Sequence, residues 1–243
     1  LYYGIFLYGK FSGGANMVFV DLSYDITEDI CSWPGHPHPA VKTVLSSAKE
    51  GYEVKHISFM SHVGTHIDAP SHTLQDGLSL NDIPVSQYMG PALIIDVCNI
   101  KDQIEVGDLL PYAEQIEQSK FVVFHCGHQR YWHQNEYFYG HPVISKECAL
   151  WLSGFDLYGI GLDTFSPEPV DTKTSIVHRT LAAKGMVIIE NLAQLKVVLT
   201  LTTQTKGMFF LSALPIKIPD ADGSPVRAVA IIDSCYLQEE SRE

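Results

Sequence analysis

Apolar and polar positions alternate in some stretches of the chain and run together in others, and that contrast divides it into elements. MVFVDLSYDI, from Met17, reads as a strand, and YEVKHISFM (52–60) alternates well enough for a strand with one exposed face. The unbroken apolar runs ALIIDVC (92–98), FVVFHC (121–126), LYGIGLDT (157–164) and MVIIEN (186–191) predict strands buried on both sides. GMFFLSALPIKI (207–218) and VRAVAIID (226–233) predict two more. Helical spacing is scarcer. It predicts a modest helix over 106–118, one over KECALWLS capped by Ser145 with Glu147 in its first turn, and one over IVHRTLAAK capped by Ser175 and ended by Gly185. WPGHPHPAV (Trp33 to Val41) is a loop, because its prolines preclude regular structure.

Strands thus outnumber helices without the regular βαβ rhythm of a doubly wound fold, which predicts a mixed α and β domain. No G-x-G-x-x-G follows a strand and no P-loop occurs, so nucleotide cofactors have no seat. With 243 residues, 46% of them hydrophobic, the chain can bury a full core, and no repeat or long polar linker divides it. Residues 17–243 are expected to form one domain. The preceding LYYGIFLYGKFSGGAN (1–16) is aromatic and Gly-rich, lacks a basic start and ends in a linker-like SGGAN. It is expected to be a leader or an appended segment, with Met17 the native start.

The net charge of -12 repels phosphate backbones and anionic lipid heads, so nucleic acid and membrane are poor partners. No apolar run reaches the ~20 residues that span a bilayer. The five cysteines are odd in number, widely spaced and without a C-x-x-C pair. They read as reduced core residues of a cytoplasmic protein, Cys98 and Cys126 among them.

The densest chemistry lies in SHVGTHIDAPSH, where His62, His66, Asp68 and His72 fall within eleven positions of one another. Pro70 discourages helix and Gly64 frees the backbone to bend. All four residues share one parity, so an extended or once-bent segment can aim them at one point. Imidazole with carboxylate suits zinc, manganese or iron far better than calcium or magnesium. His36, His38, His56, His133 and His141 carry no such pattern and are expected to be surface or satisfied core residues. Glu190 ends the apolar run MVIIE, where a buried carboxylate needs a cation or donors.

The stretch resembles the H-x-G-T-H-x-D-x-P-x-H signature of the cyclase family of metal-dependent hydrolases, which includes bacterial kynurenine formamidase and isatin hydrolase, and every fixed position is met. The resemblance extends from about Val18 to Asp233. SWPGHP resembles the family's Trp-Pro-Gly loop, and GIGLDTFSPEP (159–169) its G-x-D-x-x-S-x-D-P segment, with Glu168 where an aspartate is common. His178 and Glu190 stand at the family's spacing for its later ligands, and GSPVRAVAII (223–232) is similar to its closing strand.

The resemblance implies a swivelling β/β/α domain with a small β-barrel-like core and flanking helices, assembled as a homodimer or homotetramer. It implies metal ligation by His62, His66, Asp68, His178 and Glu190, with Asp68 able to bridge two ions and His72 acting as general acid and base. The cofactor would be one or two divalent ions, zinc or manganese. A metal lowers the pKa of bound water toward ~7, and an unligated imidazole can protonate a leaving nitrogen. The implied activity is arylformamidase-like hydrolysis of an amide C–N bond in a small molecule, an aryl formamide such as N-formylkynurenine or a cyclic amide such as isatin. An ester or lactone hydrolase, or a metal-binding protein that catalyses nothing, are the alternatives. One departure concerns the substrate. Where many relatives continue with threonine, Gly and Trp, this chain has His125, Cys126, Gly127 and His128. His128 could line the pocket, and the aromatic run Tyr131, Trp132, Tyr137, Phe138 and Tyr139 could either wall a flat substrate or serve packing and subunit contact.

Overall fold

Strand pairing frames this chain, and the run around ALIIDVC lies at its middle. The structure, a computed structural model, describes residues 5–10, 16–33 and 35–233. Most of the SGGAN stretch, Pro34 and Cys235 lie outside the described residues.

Strands β1 (Ile5–Lys10) and β2 (Asn16–Asp21) form an antiparallel pair. A separate hairpin joins β3 (Ala40–Leu45) to β4 (Val54–Ser58) through a single helical turn, α1 (Ser47–Glu50). Next come β5 (His66–Asp68), β6 (Met89–Asp96) and β7 (Gln103–Ile104). Helices α2 (Val106–Leu109) and α3 (Ala113–Glu117) precede β8 (Phe121–His125) and β9 (Val143–Ile144). The chain continues as α4 (Lys146–Leu152), β10 (Gly159–Leu162), α5 (Ile176–Ala182), β11 (Val187–Glu190) and α6 (Leu195–Leu201). Strands β12 (Met208–Ser212), β13 (Gly223–Pro225) and β14 (Val229–Asp233) follow.

Among the described residues, ten strands make one sheet in the order β1-β2-β14-β12-β6-β8-β10-β11-β5-β13. The central β6-β8-β10-β11 are parallel and their neighbours antiparallel. The period of two decides which core each side chain joins. From β6 and β8, Ala92, Ile94, Phe121 and Val123 enter one cluster, while Leu93, Ile95, Val122 and Phe124 enter the other. The second cluster is covered by helices, through Leu109, Ile116, Leu152 and Leu181. The first unites residues from distant strands of the sheet, Val20 and Ala230 with Ile67 and Ile189, so that face curls around its own interior. Hydrogen bonds from Tyr24 N–H to Thr65 Oγ1 (3.0 Å) and from Ala193 N–H to Leu22 O (2.8 Å) tie β2 to the far side. This is the mixed α and β fold that the sequence pattern predicts, with the barrel-like core and flanking helices that the family resemblance implies.

The differences have local causes. The helix expected over 106–118 is broken into α2 and α3 by a tight turn, Leu110–Tyr112, at Pro111, whose ring supplies no N–H. Ser175 does not cap α5, since it sits at φ 46° with no side-chain hydrogen bond to the helix. Ser145 does cap α4, accepting from Cys148 N–H at 2.9 Å. Strand β3 and helix α6 were not anticipated: β3 is largely exposed and shows no amphipathic contrast, and LKVVLTL is as compatible with strand as with helix. No helix among the described residues is long and apolar enough to cross a membrane.

Candidate metal centre

The histidine-rich segment becomes a strand only where others hold it. Before β5 the chain turns at Gly64 (φ 59°), where a Cβ would lie 2.8 Å from Ile30 Cδ1. Thr65 donates its hydroxyl to Asn191 O at 2.7 Å, pinning the motif to the end of β11. Strand β5 then runs between β11 and β13, which sets His66 opposite Glu190 and Asp68 opposite Gly223. Ile67 points the other way into the core, fully buried, so His66 and Asp68 share a face. Pro70 opens a tight turn, Pro70–His72, that carries His72 back toward the same place.

Two elements approach from later in the chain. Glu190 ends β11, its Oε2 3.4 Å from His66 Nε2. His178 on α5 turns Nε2 to Glu190 Oε1 (3.4 Å) and Asp68 Oδ2 (3.7 Å). Its ring is fixed by Glu168, whose carboxylate accepts from His178 Nδ1 (2.5 Å) and from the backbone N–H of Val177 (2.9 Å) and His178 (3.4 Å). Glu168 therefore does the capping expected of Ser175, and an anion suits a helix N-terminus. His66 Nδ1–H donates to Gly64 O at 2.9 Å, which leaves Nε2 for the cluster.

Asp222, just before β13, completes the group. Its Oδ2 lies 2.9 Å from His62 Nε2 and 3.3 Å from His72 Nδ1, and His62 Nδ1 lies 2.7 Å from Asp68 Oδ1. The donor atoms fall into two trios, His62–Asp68–His72 and His66–Asp68–Glu190, each mutually within 4.8 Å. Asp68 belongs to both.

Charge balance shows what such a site needs. Asp68, Glu168 and Glu190 are buried, and histidines are their only ion-pair partners among the described residues. Burial by itself lowers the pKa of His62, but Asp68 and Asp222 outweigh it and hold the imidazole up to about 10. His178 is likewise pulled down by burial and raised by Glu168, Glu190 and Asp68 to about 10, and His66 is raised by Glu190 and Asp68 against the same burial. Burial pushes the Asp68 carboxyl upward, yet His62 and His66 keep it well below the usual carboxylate range. Asp222 is held down mainly by its hydrogen bond from His62. Buried carboxylates interleaved with imidazoles, and no lysine or arginine among them, fit a divalent metal cation.

All six residues singled out from the sequence, His62, His66, Asp68, His72, His178 and Glu190, line one cavity of about 300 Å³, within the range of small-molecule sites. Its aromatic wall does not come from the 131–139 run. Trp33 and Phe165 supply it, with ring centroids 4.7 Å apart. Trp132 instead stacks on Tyr24 (3.7 Å), Tyr137 is fully buried with its hydroxyl on Asn191 Oδ1, and Phe138 backs Phe165. His128 is a core residue bonded to Tyr137 O, kept neutral by burial that lowers it to about 4, and it does not line the cavity. His36, expected to be a surface or satisfied core residue, is exposed and also lines the cavity. Asp222 and the orienting role of Glu168 escape sequence reasoning. Asp222 sits in a turn-like DADGSP, 150 positions from His72, and nothing local marks it as a partner.

The "Putative cyclase" family model matches residues 20–169. Kynurenine formamidase of Bacillus mycoides (strain KBAB4) is 34% identical over 216 residues, covering 87% of this chain and 96% of the relative. In structure, isatin hydrolase A from Labrenzia aggregata, bound to benzyl benzoate, superposes with a TM-score of 0.77 at 20% identity, covering 89% of this chain and 94% of the other. A potential metal-dependent hydrolase with cyclase activity gives 0.71 at 24% identity, over 88% and 98% of the two chains.

Proposed function

The chain belongs to the Cyclase family, and on that premise we propose that it is a metal-dependent hydrolase of amide-type C–N bonds in small, flat molecules. The observation that carries this reading is Asp68, a buried carboxylate shared by two trios of donors on the floor of an aromatic-walled cavity. His62, His66, Asp68, His178 and Glu190 would hold one or two ions of zinc or manganese. When bound, the metal supplies Lewis acidity that polarises a carbonyl and lowers the pKa of water toward ~7.

The chain's own groups do the rest. Glu168 and the Gly64 carbonyl orient His178 and His66 by occupying their Nδ1 atoms. His72 Nδ1–H donates to Asp222 Oδ2, which leaves His72 Nε2 to take a proton from water and deliver it to the departing nitrogen. Amide nitrogen leaves poorly as an anion, so that proton matters more for an amide than for an ester. Trp33 and Phe165 give a planar ring two faces to rest on. An aryl formamide or a cyclic amide fits both requirements, and kynurenine formamidases and isatin hydrolases among the relatives carry those names.

The exposed apolar residues Val44, Val54 and Ile57 of the β3–β4 hairpin support pairing with further copies of the chain, as a homodimer or homotetramer. The free thiols of Cys31, Cys98, Cys126 and Cys148 support a cytoplasmic setting. Turnover of N-formylkynurenine, isatin and a simple aryl ester by zinc- and manganese-loaded protein tests the activity. Hydrolysis of either amide is the expected result. Turnover of the ester alone favours an esterase, and inertness toward all three with metal retained leaves a protein that only binds metal.

A further inference from the structure

Sequence reading placed Cys98 in the core, but its thiol is reachable from solvent and faces the departure His125-Cys126-Gly127. Asp96 and His125 are register partners at the carboxyl ends of the parallel strands β6 and β8. Asp96 Oδ1 and Cys98 Sγ each lie 3.2 Å from the same atom, His125 Nδ1. Asp96 Oδ1 also accepts the Cys98 N–H at 3.1 Å, which fixes the turn that presents the thiol. Gly127 (φ 67°) makes the room, since a Cβ there would lie 2.8 Å from the sulfur.

We propose that Asp96, Cys98 and His125 form a second cation site, for zinc or another thiophilic divalent ion, sharing no ligand with the His62–Glu190 centre. The arrangement is not a nucleophile relay. In a relay, thiol and carboxylate sit on opposite ring nitrogens, whereas here both face Nδ1 and Nε2 is 4.0 Å from the sulfur. Three ligand-type atoms lie together, all within 4.8 Å of one another. Zinc bound tetrahedrally at its usual bond lengths spaces thiolate, imidazole and carboxylate about 3.4–3.6 Å apart. The two 3.2 Å contacts are close to that spacing, and since the sulfur also lies 4.0 Å from Nε2, a turn of the His125 ring is what brings the Nδ1 lone pair toward the shared position. Sulfur with imidazole selects zinc-like ions over magnesium or calcium, and half-exposed Asp96 leaves an open side for water. Uptake would release the thiol proton to solvent, leaving sulfur as thiolate and the imidazole neutral.

Cobalt is the probe, added to full-length protein stripped of other metals. A sulfur-to-cobalt charge-transfer band in the near ultraviolet is expected, which the nitrogen and oxygen donors of the His62–Glu190 centre cannot produce. Cys98→Ser should abolish the band and lower bound cobalt by one ion per chain while amide hydrolysis persists. Cys31→Ser and Cys235→Ser should keep it. In the unsubstituted protein cobalt should also protect Cys98 from thiol alkylation, a readout that needs no variant. Absence of the band, its survival in Cys98→Ser, or unaltered alkylation of Cys98 overturns the proposal.

Discussion

Metal uptake at the His62–Glu190 centre should expel protons, and their number follows from the carboxylates around each histidine. In protein stripped of metal, both nitrogens of His62 face carboxylates, Asp68 at 2.7 Å and Asp222 at 2.9 Å, and the ring is held up to about 10. His178 is held equally high, and His66 is raised as well. At pH 8 His62 and His178 therefore each carry an extra proton that a ligating imidazole cannot keep, so about two protons should leave, and up to about one more from His66. The apparent association constant should rise roughly a hundredfold per pH unit while the pH is well below about 10, and level off as it passes that value. Glu168→Gln keeps an acceptor for His178 but removes its nearest negative charge while Glu190 and Asp68 stay, so the count should fall by up to about one. Calorimetric titration with zinc in buffers of different ionisation enthalpy measures it directly. A release of less than one proton, or an unchanged count in Glu168→Gln, would refute the reasoning. Stability must follow with a definite sign. The folded-state values are raised, so the stabilisation from protonated His62 and His178 is complete below the ordinary 6.5 and is lost as pH climbs through about 10. Stripped protein should therefore melt at falling temperature across that window, and metal-loaded protein should not.

Three further outcomes follow from the same geometry. His72→Ala should keep its metal while amide turnover falls roughly a hundredfold or more, with a smaller loss for activated esters; metal loss in parallel, assayed by elemental analysis, would instead make His72 a ligand of the His62–Asp68 trio. Asp68→Ala should lose metal and activity together, because both trios use that carboxylate, whereas Glu190→Ala should deplete the His66 trio selectively; unchanged metal content in either variant counts against the assignment. Gly223→Ala would set a Cβ 2.5 Å from His62 Cε1, and metal affinity should drop about tenfold or more, as for lost orienting contacts; wild-type affinity would show that the ring yields at no cost.

What the sequence made legible was what local pattern encodes. Buried parallel strands announce themselves as apolar runs: β8, β10 and β11 lie within the predicted stretches, and β6 overlaps its own but begins three residues earlier, at Met89. His62, His66, Asp68 and His72 stand close together in sequence, so their chemistry was visible before their geometry. His178 and Glu190 needed a family spacing to be noticed, since neither a helical histidine nor a strand-end glutamate is diagnostic alone. Asp222 and Cys98 were out of reach for a different reason. Each acts through a partner that only tertiary folding supplies, Asp222 across 160 positions to His62 and Cys98 across 27 to His125. The aromatic run stayed open between substrate wall and packing on the same account, since only the fold brings Tyr24 against Trp132 and Asn191 against Tyr137.

The position of β5 between β11 and β13 also sets a timetable. On the ribosome His62, His66 and Asp68 emerge early, yet the two strands that align them are made more than a hundred residues later. Until β11 follows, a three-residue strand has no neighbour, and the motif is an unstructured run of histidines with no fixed spacing between its donors. Tight ion capture is therefore deferred until β11 and β13 have emerged. A nascent chain halted before residue 187 should hold zinc no better than an unfolded peptide, whereas one extended past residue 225 should capture it. The centre works as a late closure on the fold and not as a seed for it.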